Sequence, residues 1–170
     1  MKKAFMMLAL LALPFAIQAQ TKFHDAEANE AKGPVKCIKS SVMGQERVTN
    51  FTKEGKMEQE GMKDVVYDAD GYMQSAKMEA QGMEITIKYT WENGKIKSQS
   101  IDTSMGSMKQ NYVYDDKGVL VKQVMDFGGQ EMETPFTDYK FDAKGNWTQK
   151  IEYEGDEAKT VTERQIEYYE

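Results

Sequence analysis

Apolar and polar residues alternate along most of this chain. The plainest stretch is Met83, Ile85, Ile87, Tyr89 and Trp91, interleaved with Glu84, Thr86, Lys88 and Thr90. A period of two sets all five apolar groups on one face of a β-strand. Trp147, Ile151 and Tyr153 repeat the pattern against Thr148, Lys150 and Glu152. Carried along the chain, this reading predicts strands over about 35–42, 46–52, 56–60, 62–67, 72–79, 83–91, 95–102, 107–114, 119–127, 131–141, 147–153 and 159–168. No segment shows helical periodicity with caps.

Between these strands the turns alternate between two kinds. One kind reads Tyr-Asp-x-x-Gly or a near copy, at Gly55, Gly71, Gly94, Gly118 and Gly145. There glycine supplies a positive φ and the aspartate caps the turn through its side chain. The other kind is looser, at Gly44, Gly61, Gly82, Gly106, Gly128-Gly129 and Gly155. Strict alternation predicts an all-β fold, an antiparallel up-and-down meander of about 10–12 strands. Each strand is apolar on one face, and a wide twisted sheet curls to hide that face. The expected shape is therefore a half-barrel, a rolled sheet or a barrel. Its inner face would carry Tyr67, Tyr89, Trp91, Tyr112, Tyr114, Tyr139, Phe141 and Trp147. The last strand either exposes an edge or pairs with the first and closes the ring.

Charge and the N-terminus narrow the setting. Lys2-Lys3 precedes an uncharged apolar run from Ala4 to Ile17, followed by Gln18-Ala19. Residues 1–19 thus read as a signal peptide, too short to be a comfortable membrane span, with a cut before Gln20. The mature chain is expected in the periplasm, outside the cell or at its surface, with no transmembrane segment. Without Lys2 and Lys3 the 22 basic residues fall to 20 against 28 acidic ones, a net charge of −8. That excludes the basic footprint of a nucleic-acid or anionic-membrane binder. Residues 20–32 carry no apolar stripe and read as a flexible leader, with His24 solvated and idle. Residues 33–170 form the single domain. Cys37, the only cysteine, can form no internal disulfide and reads as a small strand residue.

At Tyr112-Val113-Tyr114-Asp115-Asp116-Lys117-Gly118 and at Tyr139-Lys140-Phe141-Asp142-Ala143-Lys144-Gly145 the chain resembles the YD repeat of RHS-type bacterial proteins. Partial copies lie at Gly55, Gly71 and Gly94. The ending, Thr162 to Tyr169, is similar to those of small exported β-hairpin proteins of Bacteroidetes. The resemblance implies a β-strip outside the cytoplasm and brings no catalytic residues with it. The chain has too few repeats for the shell that large RHS proteins build.

Candidate chemistry is sparse. Histidine-based catalysis needs a positioned imidazole, and His24 stands in the leader. Asp68-Ala69-Asp70-Gly71 opens like a calcium loop, but its sixth position is Met73 rather than glycine. No cofactor or metal is expected, and the chain reads as a non-enzyme. Methionine is the compositional oddity, with ten of 13 beyond the signal peptide, several beside the loose turns. Thioethers suit adaptable binding surfaces. The candidate binding residues are accordingly Trp91, Tyr89, Tyr112, Tyr114 and Trp147 on the aromatic face, with Met62, Met83, Met105 and Met108 at the rim. The expected function is that of an exported binding or scaffold module for a protein, a glycan or an apolar ligand. The alternative is a periplasmic carrier that holds a lipid or other apolar molecule in the concave aromatic face.

Overall fold

The computed structural model describes residues 22–80, 82–154 and 157–170; the expected signal peptide and the turn at Gly155 lie outside them. A short helix, α1 (Asp25–Ala28), precedes β1 (Val35–Val42), β2 (Gln45–Phe51), β3 (Met57–Glu58), β4 (Met62–Tyr67), β5 (Met73–Ala80) and β6 (Met83–Glu92). Then follow β7 (Lys95–Thr103), β8 (Gly106–Tyr114), β9 (Leu120–Asp126), β10 (Glu131–Phe141), β11 (Trp147–Glu154) and β12 (Glu157–Tyr168). All strands pair antiparallel in one 12-stranded sheet of order β3-β2-β1-β12-β11-β10-β9-β8-β7-β6-β5-β4. The all-β meander is as the alternation predicts. The first strand pairs with the last, Ile38 opposite Ile166 and Ser40 opposite Arg164.

The sheet is not closed into a barrel by hydrogen bonds, because its open edges are β3 and β4. Yet these two edges are consecutive in the chain. Only Gln59, Glu60 and Gly61 join them, a link that spans at most about 14 Å. The sheet must therefore roll right round on itself, leaving an unpaired seam.

The tight turns at Gly71, Gly118 and Gly145 share one geometry. In each, the Oδ1 atom of the leading aspartate accepts two backbone N–H groups. For Asp68 these come from Asp70 and Tyr72, for Asp115 from Lys117 and Val119, and for Asp142 from Lys144 and Asn146, all at 2.7–3.1 Å. Asn93-Gly94 instead makes a two-residue turn with both φ values positive, at 52° and 73°, the hairpin turn that matches strand twist.

Aromatic side chains stitch one hairpin to the next. Register slips just before the turns, at Thr90/Trp91 and at Val113/Tyr114. Such irregularities leave backbone groups without ladder partners, and buried ones must find others. The Trp91 indole N–H donates to the Met73 carbonyl at 2.8 Å, the Tyr114 hydroxyl to Ile96 at 2.9 Å, and the Tyr139 hydroxyl to Leu120 at 2.6 Å. Each acceptor lies two residues past a turn glycine, and Met73, Ile96 and Leu120 are all buried. In the last copy Arg164 takes the aromatic's place and donates Nε–H to the Trp147 carbonyl at 2.6 Å. The aromatic and aspartate before these turns thus have two structural roles, the aspartate closing its own turn and the aromatic reaching the preceding one.

The leader corrects the sequence reading. Far from loose, its described residues, 22–32, are docked inside the roll. Asp25 and Ala31 are fully buried and Ala26 nearly so. Its groups bond to Glu54, Gly71, Asn146, Lys150 and Arg164, on turns and strands far apart in the sheet order. Only the concave side of a rolled sheet brings these within reach of one short segment. Ala26 and Ala31 pack with Val35, Ile38 and Phe51 as the main apolar cluster. At Gly71 the approach is so close that a Cβ would strike the Lys22 carbonyl oxygen.

Asp25 also bridges the seam. Its Oδ2 accepts the Met57 N–H at 2.7 Å and the Tyr67 hydroxyl at 2.8 Å, one donor from each unpaired edge. Burial holds the Asp25 carboxyl above its ordinary value of 3.8, although the Met57 and Tyr67 bonds act the other way. A raised carboxyl pKa means that folding favours the protonated form. The stability it contributes is full below 3.8 and is lost as pH rises through the higher folded value. Asp25→Asn keeps an acceptor and removes the charge. Its melting temperature relative to the parent is expected to climb from about pH 3 to about pH 7. A difference that stays constant with pH would show that Asp25 ionises in the fold as it does in the open chain.

Candidate functional site

The candidate residues from the sequence separate into two groups at opposite ends of the roll. Met62, Met83, Met105 and Met108 stand at the loose-turn end, and Trp91, Tyr114 and Trp147 at the tight-turn end. Met83 and Trp91 are eight residues apart on β6, about 26 Å along the strand. Met105 is at an exposed tip. Met62 lies opposite Met78, and Met132 opposite Met125. Tyr89 and Tyr112 sit one inward position back from Trp91 and Tyr114 on the same strands, and Tyr112 donates to Gln99 at 3.0 Å. Burial pushes the Tyr89, Tyr112 and Tyr114 hydroxyls up, so all three stay neutral at neutral pH. Of the other aromatics expected inside, Phe141 is half exposed, because register shifts on both sides of Lys140 turn the end of β10 to the rim.

At the tight-turn end the docked leader leaves a cavity of about 490 Å³ between itself and the turns after β6, β8 and β10. Its walls include Tyr72, Tyr114 and Trp147, with Glu30, Lys32 and Lys95. The aromatic wall is built in layers. His24 is not idle: its ring stacks on Tyr72 at 4.1 Å, and Tyr72 packs on Trp91 at 4.9 Å. Trp147 is fixed from three sides. Its indole N–H donates to Glu30 at 3.0 Å, the Arg164 guanidinium lies 3.5 Å over its ring, and the Lys150 ammonium lies 4.6 Å away.

Glu30 holds Lys150 at 3.0 Å in a half-buried ion pair. Lys150 is itself buried, although alternation from Trp147 assigns it to the outer face. The β10–β11 register slips on both sides of Lys140, so the alternation does not run unbroken from Trp147 to Ile151. Arg164 is buried beside this pair, donating to the Asn29 carbonyl at 2.8 Å and the Glu30 carbonyl at 2.7 Å. Burial lowers its pKa to about 10, with Glu30 acting in the opposite sense. It remains a cation at neutral pH. A second cavity, of about 460 Å³, lies on the far side of the leader, against Ile38, Arg47, Thr49 and Arg164. Glu30 and Trp147 face both cavities, so the leader partitions the interior.

Sequence reasoning missed His24, Glu30, Lys32, Tyr72 and Lys95. The one available signal was the spacing: Tyr72 and Lys95 directly follow the turn glycines Gly71 and Gly94, where the chain re-enters the sheet. Among the described residues no group of three or more histidine, cysteine or acidic side chains is placed to hold a metal ion, and no helix is long and apolar enough to cross a membrane. Compared with known proteins, the chain matches no family model and no curated protein.

Proposed function

We propose that the chain is an exported, non-enzymatic binding module, built of YD-like hairpins, that takes a small ligand in the cleft at the tight-turn end of the roll. The observation that carries this reading is the cleft itself. At about 490 Å³ it falls within the range of small-molecule sites. One wall is aromatic, with Tyr72, Tyr114 and Trp147, and the other is polar and charged, with Glu30, Lys32 and Lys95; the hydrogen bonds of Tyr114 and Trp147 hold the aromatic wall in place. Such pre-formed walls lose little freedom when a ligand arrives. Export rests on residues 1–19, and the YD likeness on the two full motif copies, whose aspartates and aromatics have the structural roles described above.

Native mass spectrometry of the mature protein from the exported fraction tests the proposal, and the chain mass also reads the cut before Gln20. A discrete extra mass, released on unfolding, is the expected result. A bare mass, together with an unmoved Trp147 indole resonance when naphthalene-based probes are added, would remove the binding reading.

Carriage of a lipid or other apolar molecule is the second reading. It is favoured by the facing pairs Met62/Met78 and Met125/Met132 near the other mouth. A neutral lipid as the released mass, with Trp147 unperturbed, would select it.

A further inference from the structure

Resting on the reading of the tight-turn cleft as a ligand chamber, we infer that its ligand is a small organic anion. The carboxylate or phosphate sits between Lys32 and Lys95, and an apolar or aromatic body lies against Tyr114 and Trp147. The first observation is that, among the described residues, unpaired lysines gather round one cleft, although others lie unpaired elsewhere on the surface. Many of the chain's lysines are paired across strands, as in Lys39–Glu167, Lys63–Glu79, Lys88–Asp102 and Lys122–Glu133. Lys32, Lys95 and Lys117 all line the cleft, and among the described residues none of the three takes part in an ion pair.

The second observation is that Lys95 is positioned rather than free. Its ammonium donates to the Gly118 carbonyl at 2.7 Å and lies 5.0 Å over the Tyr114 ring. Glycine at 118 suits its φ of 76°, and a Cβ there would push the flexible end of Lys95 out of this position. Two of the three ammonium donors are left for a ligand. Desolvation, with Lys32 nearby, holds the Lys95 pKa below its ordinary value, although Asp115 acts against this. Two cations therefore line one cleft, and among the described residues neither is held in an ion pair.

The acids nearby are engaged elsewhere. Glu30 binds Lys150 and Trp147. Glu27 lies 3.4 Å from His24, an ion pair only when that imidazole is protonated. Asp115 receives two backbone N–H groups. An anion in the cleft would complete the lysines without displacing any of these contacts. A charge-assisted hydrogen bond in such a setting contributes about 1.5–3 kcal/mol, equivalent to about ten-fold or more in affinity.

The test uses the intact mature protein and three probes with one common body: naphthalene-1-acetate, 1-naphthyl phosphate and the neutral naphthalene-1-acetamide. Binding is read from the Trp147 indole N–H resonance. At least one anion is expected to bind about ten-fold or more tightly than the amide, and the order of the two anions tells carboxylate from phosphate. That advantage is expected to shrink in Lys95→Met and, independently of any packing change at Gly118, in Lys32→Met. An amide that binds as well as both anions overturns the inference and leaves the chamber standing, as does an anion advantage that survives both variants. No movement of Trp147 with any probe overturns the inference and the chamber together.

Discussion

Arg164→Met is expected to lower the unfolding free energy by about 3–5 kcal/mol, the range for breaking a buried, hydrogen-bonded charge network. Arg164 is 5% exposed. All three of its donor groups reach carbonyl oxygens, those of Trp147, Asn29 and Glu30, at 2.6–2.8 Å. Methionine fills similar volume and stays adaptable, so the loss would come mainly from three buried carbonyls left without partners. One of these closes the hairpin stitch; the other two fix the leader. Arg164→Lys keeps the charge but lacks the planar fork, and is expected to recover only part of the loss. Urea unfolding of the three proteins measures the difference. A loss below about 1 kcal/mol, as for exposed ion pairs, would show that water, not Arg164, satisfies these carbonyls.

Arg164 also marks where the sequence stops being legible. Local rules were sufficient for the hairpins. Alternation at Met83–Trp91 and the Asp-x-x-Gly turns placed β6 and the turns at Gly71, Gly118 and Gly145 close to where they lie, because a strand face and a turn φ are set by residues a few positions apart. The β1–β12 pairing was open, since nothing local says which edges meet. The seam between β3 and β4 was not visible at all: Gln59-Glu60-Gly61 reads like the other loose turns, yet joins two strands that do not pair. Inward charges were misread for a related reason. Lys150 and Arg164 look like polar outer-face residues until a partner appears inside the roll. That partner is the leader, over 110 residues away in sequence. It has no apolar stripe, because it docks through Asp25, Glu30, its own carbonyls and two small alanines rather than through an amphipathic face. Of the cleft, the aromatic wall at Tyr114 and Trp147 was readable from the strands. Its charged wall was not, since Lys32 and Lys95 meet only once the leader is in place.

Removal of the leader is the change with the widest expected effect. A chain beginning at Gly33 loses the Glu30 partner of buried Lys150 and two of the three Arg164 acceptors. It also loses the Asp25 bridge between Met57 and Tyr67, and the Ala26 and Ala31 packing on Val35, Ile38 and Phe51. Stranding one buried cation already costs about 3–5 kcal/mol. Small domains have only about 5–15 kcal/mol in all, so this chain is expected to be unfolded or close to it at room temperature. A synthetic peptide of residues 20–32, added in excess, is expected to raise its melting temperature in proportion to the logarithm of peptide concentration, as a ligand of the native state does. The same peptide with Glu30→Gln should do so far less, because Lys150 then faces a neutral partner. If the shortened chain melts within about 2 °C of the mature protein, the leader is only a lodger in the interior. Stability would then reside in the twelve strands and their stitches, and the cleft would be free to open across the whole width of the roll.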